Sequence, residues 1–170
     1  LDLGRDDLDR IDYLLLTHGH LDHSWDFPYL AAKHDPQVYA PAECLRDARR
    51  EVKRSGSACQ MKSWHALDEI KGRTFDISDI EVTPYQIGTE EIDFWFIRSM
   101  CLRPWLHATP SAIPTGLRWM RHHVFGNCFA FHFRFEPRGT TLLFFGNLTE
   151  EVDELGAVDR VDVLAIPYCP

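Results

Sequence analysis

The chain has 170 residues, of which 45% are hydrophobic and 26% are charged, and this composition excludes an intrinsically disordered chain. The length suffices for one domain with a hydrophobic core and is too short for two of ordinary size, so we expect a single domain over 1–170. Its 26 acidic residues outnumber its 18 lysines and arginines, and the net charge of −8 disfavours a general nucleic-acid or anionic-membrane binder, because both need a basic face.

The first half of the chain alternates short strands and helices. Residues 11–17 are an apolar run ended by turn residues, which is typical of a buried strand. A helix is predicted over 25–33, where apolar residues recur at spacings of four and three, and a strand is predicted over 37–40. Pro41 then favours a helix start, so a second helix is predicted over 42–54.

The second half is richer in strands. Residues 102–123 contain three prolines and show no sustained period, which predicts a long loop. Segments rich in Ile, Val, Phe and Trp predict strands over 73–77, 80–85, 92–98, 128–135, 140–145 and 161–166. Strands in this order, with two intervening helices, predict an α/β domain built of layers.

The strongest chemical signal is the motif Thr17-His18-Gly19-His20-Leu21-Asp22-His23, which directly follows the first predicted strand. It places four candidate metal ligands within six residues. His18 and His20, separated by a glycine, can aim two imidazoles at one ion, and Asp22 and His23 can face a second point nearby. The motif therefore predicts a metal centre rather than a polar turn that happens to contain histidines.

This motif resembles the His-x-His-x-Asp-His signature of the metallo-β-lactamase superfamily. The order of the later strands is also similar, with an apolar strand that ends in Gly146-Asn147 and a final strand over 161–167. The resemblance implies a four-layer αββα sandwich with the metals at one edge, and in this chain we expect it to be incomplete at both ends. The chain also begins at Leu1 rather than Met and stops at Pro170 directly after an apolar run, so we expect a fragment of a longer chain.

The resemblance also implies a set of metal ligands. His18 and His20 match the ligands of the first metal, and Asp22 and His23 match those of the second. Asp22 is also the expected catalytic residue, which would orient or deprotonate the attacking nucleophile. For a third histidine at the first metal we favour His107.

Two alternatives to His107 stay open. His123 has the spacing to Gly146-Asn147 that compact members of the superfamily use. The third ligand position could instead follow residues 82–85 and be held by no histidine at all. We expect the other histidines to lie on the surface or across strands, and these are His34, His65, His122 and His132.

The chain departs from the superfamily at Gly146-Asn147. Most active members have Gly-Asp at this point, and the aspartate bridges both metals. Asn147 is a neutral amide that cannot bridge two cations as a carboxylate does, so a second metal should be weakened most. The site could hold one metal, or two with weaker occupancy, or have lost catalysis; Glu150 or Glu151 could substitute for the missing carboxylate.

The resemblance implies a metal-dependent hydrolase. A metal-bound hydroxide, formed on one or two zinc ions or on another transition metal, would cleave an ester, lactone, amide or phosphodiester bond. The long loop of this chain is most similar to that of the superfamily branch that includes phosphoester and lactone hydrolases. We expect a small-molecule substrate. Four arginines that flank the long loop could bind an anionic one, and these are Arg98, Arg103, Arg118 and Arg121.

A second class of function is a non-catalytic metal-binding or regulatory member of the same fold. Asn147 favours it, whereas the intact motif over 18–23 favours an enzyme. A di-iron oxidoreductase would need a carboxylate-rich bridge, which Asn147 does not supply. A nucleic-acid-processing role is disfavoured by the net charge of −8.

Cysteine usage and hydropathy bear on location. The five cysteines include no C-x-x-C pair and cannot all pair with one another, which favours reduced thiols and a cytoplasmic protein. No apolar run approaches the roughly 18 residues of a membrane helix, and no basic-then-apolar leader opens the sequence. We therefore expect no membrane span, and the sequence leaves the oligomeric state open.

Overall fold

The computed structural model describes residues 4–61, 63–89, 126–146 and 153–166, and within them the strands form two sheets. The first sheet is parallel, in the order β1-β2-β3, and consists of β1 (Tyr13–Leu15), β2 (Gln37–Ala40) and β3 (Trp64–Ala66). The helices are α1 (Leu21–Ser24), α2 (Phe27–His34), α3 (Ala42–Arg54) and α4 (Leu67–Ile70), with a 3₁₀ helix over Asp153–Ala157.

The second sheet has five strands in the order β4-β5-β6-β7-β8. Its strands are β4 (Phe75–Ile77), β5 (Ile80–Thr89), β6 (Asn127–Phe135), β7 (Thr140–Phe145) and β8 (Val163–Ala165). Neighbouring strands are antiparallel except β7 and β8, which run parallel with Leu143 opposite Leu164. The carboxyl ends of β7 and β8 therefore lie at the same edge of this sheet.

Side-chain alternation along β2 divides the core into layers. Val38 and Ala40 are fully buried on one face of the first sheet, where they pack in one cluster with residues of α2 and α3. Tyr39 points to the other face and packs against the second sheet. Since successive side chains of a strand point to opposite faces, a strand buried on both faces is apolar throughout, as β2 is after Gln37.

The second sheet repeats this pattern at β6. Phe129 and Phe131 face the first sheet, and they belong to the cluster that contains Tyr39. Cys128 and Ala130 face the other way, in a cluster against which Leu155 of the 3₁₀ helix packs. The layers therefore run from helices through two sheets to the 3₁₀ helix, which confirms the predicted α/β sandwich.

The local predictions agree with the structure to different degrees. The strands over 37–40 and 140–145 and the helix over 42–54 have the predicted bounds. The predicted helix over 25–33 is α2, which begins only at Phe27 and has Pro28 in its first turn, where proline is favoured. The prediction missed α1, β3, α4 and the 3₁₀ helix, and the predicted strand over 92–98 and loop over 102–123 lie outside the described residues.

Strand β5 is longer than predicted. It extends to Thr89, although the sequence favoured an end at 85. The pairing register with β6 shifts between Gln86 and Gly88, and this irregularity lets the strand continue past the glycine.

The thiols that the structure describes include two buried ones, Cys44 and Cys128. Burial raises the pKa of the Cys44 thiol above its usual range. Burial, followed by a hydrogen bond to the Asp35 carboxylate at 2.9 Å, raises the pKa of the Cys59 thiol to about 11. Cys44 and Cys59 are therefore protonated thiols at neutral pH, as expected for reduced cysteines of low reactivity. None of the helices in the described part of the chain is long and apolar enough to span a bilayer.

Asp162 attaches the start of β8 to β7. Its Oδ2 accepts hydrogen bonds from the Thr141 backbone N–H at 2.9 Å and from the Thr141 hydroxyl at 3.1 Å, and its Oδ1 accepts one from Arg160 Nε at 2.8 Å. These bonds, with the Thr141 backbone bond the largest contributor, hold the pKa of Asp162 below its usual value of 3.8. A depressed pKa means that the carboxylate stabilises the fold above the pKa of the unfolded chain, and that this contribution is lost as pH falls through the folded pKa.

We expect Asp162→Asn to lower the melting temperature at neutral pH and to lose that difference from the unchanged protein under acid conditions. The measurement is the melting temperature of both proteins between about pH 7 and pH 2, the range in which native carboxylates titrate. Asp76→Asn on β4 makes the same change in charge and serves as the control. A constant difference between the Asp162→Asn protein and its parent down to the lowest pH would contradict the prediction.

Candidate metal centre

The motif over 18–23 lies at the carboxyl edge of the first sheet. β1 ends at Leu15, and the chain continues through the buried residues Leu16 and Thr17 into the histidines. Because β1, β2 and β3 are parallel, the starts of α3 and α4 lie at this same edge. Polar side chains that follow three different strands are thereby brought together, which is the usual place for a site in such a sheet.

His18 is the centre of a cluster of imidazoles. It is fully buried, and its ring centroid lies 4.5 Å from that of His20 and 4.4 Å from that of His23. The backbone turn explains the approach, since the N–H groups of His23 and Ser24 both donate to the His20 carbonyl, at 3.0 and 2.8 Å. The structure thus brings together three of the six predicted metal ligands.

Thr17 connects this cluster to the second sheet. Its Oγ1 lies 2.9 Å from His18 Nδ1, and its carbonyl accepts a hydrogen bond from the Phe129 N–H at 2.9 Å. Gly146, directly after β7, packs on the Thr17 side chain so closely that a Cβ on Gly146 would lie 1.9 Å from Oγ1. Only a glycine allows the end of β7 to approach Thr17 in this way.

A polar network at the same edge joins α3, α4, β5 and β6. Asp68 Oδ2 accepts a hydrogen bond from the Ala42 N–H at 2.7 Å and so caps helix α3, whose N-cap residue Pro41 makes no side-chain capping bond. Asp68 Oδ1 accepts another from the Asn127 side-chain amide. Asn127 Oδ1 in turn accepts hydrogen bonds from Gln86 Nε2 at 2.9 Å and from the Thr89 hydroxyl at 2.8 Å.

The sequence pattern predicted no role for the residues of this network or for Thr17. Asp68 follows a strand of three residues that has no clear pattern of its own. One signal was available, because a helix that begins at Ala42 without a capping side chain needs an acceptor from elsewhere in the fold.

The remaining predicted ligands lie outside what the structure describes. His107, its alternative His123, Asn147, Glu150 and Glu151 are among the residues without a described position, as is the side chain of Asp22. The four arginines of the long loop are also outside it. Within the described part of the chain, no three His, Cys, Asp or Glu side chains form a complete group that could hold a metal ion. Of the predicted ligands, the described side chains are thus those of His18, His20 and His23.

The donor chemistry of the described histidines fits a transition metal. The imidazoles of His20 and His23 each lie against the buried ring of His18, and imidazole nitrogen is a ligand that zinc prefers. Two other histidines have separate partners, as the sequence predicted: His65 stacks on Tyr39 with ring centroids 4.9 Å apart, and His132 Nε2 lies 3.2 Å from the Arg160 carbonyl.

Comparisons with known proteins agree with this architecture. The family model described as "Beta-lactamase superfamily domain" matches residues 2–169. The crystal structure of Zn²⁺-bound PqqB from Methylobacterium extorquens is similar with a TM-score of 0.51 and 16% identity, over 91% of this chain and 44% of that one. The human tRNase Z short form is similar with a TM-score of 0.53 and 15% identity, over 96% of this chain and 58% of that one.

The chain therefore spans about half the length of these two structures, and at such identities they show a shared fold. The family match covers nearly the whole chain, and the layers and strand order of the structure agree with the fold of that family. This chain belongs to the metallo-β-lactamase superfamily, as the histidine motif predicted.

Proposed function

We propose that this chain is a metal-dependent hydrolase that uses zinc and acts on a small, anionic molecule. The superfamily includes metal-dependent hydrolases, and one structural neighbour is zinc-bound. The observation that carries the proposal is the packing of His20 and His23 on the fully buried ring of His18. His18 is buried, whereas His20 is half-buried and His23 is exposed; burying an imidazole is costly for its polar nitrogens, and a metal ion bound to His18 would compensate that cost.

Each residue of the motif has a proposed role. His18 and His20 would hold the first metal with a further histidine, for which His107 is favoured over His123, and Asp22 and His23 would hold a second. A bound zinc ion supplies Lewis acidity, which lowers the pKa of a coordinated water and polarises the oxygen of the bond to be cut. Asp22 would orient the attacking nucleophile or take its proton. The bond would be an ester, lactone, amide or phosphodiester.

The proposed class of substrate is inferred from the net charge of the chain and from its loop arginines. The acidic chain, with a net charge of −8, favours a small molecule over nucleic acid, although one neighbour is by name a tRNase. The arginines of the long loop would bind its anionic group. We also propose a single domain over 1–170 and a cytoplasmic location, where the thiols stay reduced.

The test is the metal content of the purified protein by elemental analysis after reconstitution with zinc. We expect about one or two zinc ions per chain, as for a histidine-rich catalytic site, and none in the double variant His18→Ala/His20→Ala. The double variant His65→Ala/His132→Ala removes two histidines outside the motif and should retain the metal. Hydrolysis of p-nitrophenyl esters and of bis(p-nitrophenyl) phosphate should follow the zinc content.

Three results would contradict the proposal. An absence of zinc from the unchanged protein would refute a metallohydrolase, as would equal zinc in the His18→Ala/His20→Ala variant. A zinc-loaded protein that hydrolyses none of the model substrates would support the non-catalytic alternative, which Asn147 favours. One zinc rather than two would indicate that Asn147 fails to support the second metal.

A further inference from the structure

We infer that Thr17 is a positioning residue that fixes the imidazole of His18 so that Nε2 is its metal-binding nitrogen. The inference rests on the proposed metal centre. A histidine that ligates a metal through one ring nitrogen donates its other N–H to a fixed acceptor, which sets the tautomer and the ring orientation. In this protein Thr17 Oγ1 lies 2.9 Å from His18 Nδ1 and is placed to be that acceptor.

The Thr17 side chain is itself held on several sides. Thr17 is buried, with 6% of its surface exposed, and its carbonyl is bonded to the Phe129 N–H of β6 at 2.9 Å. Gly146 lies against its Oγ1, Cβ and Cγ2. A β-branched side chain has few rotamers even when it is exposed, and here close packing restricts it further. The hydroxyl is therefore a fixed point rather than a rotating one.

This arrangement has a consequence for the tautomer of His18. If Nδ1–H donates to Thr17 Oγ1, the lone pair lies on Nε2, which is the state that a metal requires at that atom. The reverse bond, from the hydroxyl to Nδ1, would place the proton on Nε2 and oppose metal binding there. The inference therefore assigns the ring proton to Nδ1, even in protein without metal.

The experiment compares Thr17→Val, which removes the hydroxyl and keeps the shape, with Thr17→Ser, which keeps the hydroxyl. Long-range ¹H–¹⁵N NMR of metal-free, ¹⁵N-histidine-labelled protein identifies the protonated nitrogen of His18. Zinc affinity is measured by competition with a chromophoric chelator. We expect an Nδ1–H tautomer in the unchanged protein and in Thr17→Ser, and its loss in Thr17→Val with about 10- to 100-fold weaker zinc binding.

Thr83→Val is the matched control, because Thr83 is also buried and its hydroxyl is also hydrogen-bonded, to that of Thr74 at 2.8 Å. Thr83 lies on β5 of the second sheet and not in the histidine motif. Thr83→Val should change neither the His18 tautomer nor the zinc affinity. If Thr17→Val does not fold, Thr17→Ala also removes the hydroxyl and is measured in its place.

The two readouts separate the inference from the proposed function. An unchanged His18 tautomer in Thr17→Val overturns the inference, and so does a loss of zinc affinity that is equal in Thr17→Val and Thr17→Ser, since that would reflect packing alone. A protein that binds no zinc, yet shows a Thr17-dependent Nδ1–H tautomer, refutes the proposed function and supports the positioning of His18 by Thr17.

Discussion

Replacing Gly146 with alanine is expected to lower the free energy of unfolding by about 3 kcal/mol, the upper end of the usual cost of overpacking. The new Cβ would lie 1.9 Å from Thr17 Oγ1, 2.3 Å from its Cβ and 2.7 Å from its Cγ2. Rotation of the Thr17 side chain cannot relieve the contact with its Cβ, because that atom is fixed by the backbone. The end of β7 or the segment before His18 must therefore move.

Denaturation by urea measures this loss. Gly156→Ala is the control, because a Cβ at Gly156 would meet no atom of the described residues within 4 Å. The double variant Gly146→Ala/Thr17→Ala removes the contacts with Oγ1 and Cγ2 and leaves the one with Cβ, so it should recover part of the stability. Equal stability of Gly146→Ala and Gly156→Ala would show that the close approach of β7 to Thr17 is wrong.

Truncating Phe129 to alanine is expected to lower the free energy of unfolding by about 3–5 kcal/mol, as for other large aromatic residues in cores. The side chain is fully buried between the two sheets, where it shares a cluster with Tyr39, Val82 and Phe131. Small domains are stable by only about 5–15 kcal/mol, so this single change would remove a large part of the total. Alanine keeps the backbone N–H that donates to Thr17, so the loss reports on side-chain packing.

Phe144→Ala on β7 is the matched control for Phe129→Ala, because it removes the same side chain from a position that is 41% exposed. Phe144→Ala should lower the free energy of unfolding by clearly less than Phe129→Ala, since less apolar surface returns to water. Chemical denaturation of both variants gives the comparison. If the two substitutions cost the same, the intersheet position of Phe129 would be refuted.

The fold could be predicted where local pattern determines it. Helix α3 has the predicted bounds because Pro41 favours a helix that starts at the next residue, and its buried residues Cys44, Leu45, Ala48 and Val52 recur on one face. Strand β3 and helix α4 were missed because each is very short. The pairing of Val38 with Trp64 defines β3, and a partner strand cannot be read from a local window.

The candidate site, like the fold, could be predicted only where local pattern determines it. The histidine motif is contiguous, so its spacing predicted the cluster around His18. The contact of Thr17 with Gly146 and the bond of Asp68 to Asn127 join residues far apart in the chain, the latter 59 positions apart. Such pairs depend on how the sheets stack. The roles of Asp22, His107 and Asn147 stay predictions, as do the number of metals and the substrate.

The hydrogen bond from the Phe129 N–H to the Thr17 carbonyl joins the two sheets immediately before the first histidine. The sheets of a layered fold can shear or separate, and a hydrogen bond that crosses between them restricts this motion locally. The histidines therefore follow directly after a point at which the two sheets are joined. A metal held there would keep its ligand geometry through fluctuations that open other parts of the fold, which is the mechanical condition for a precise site.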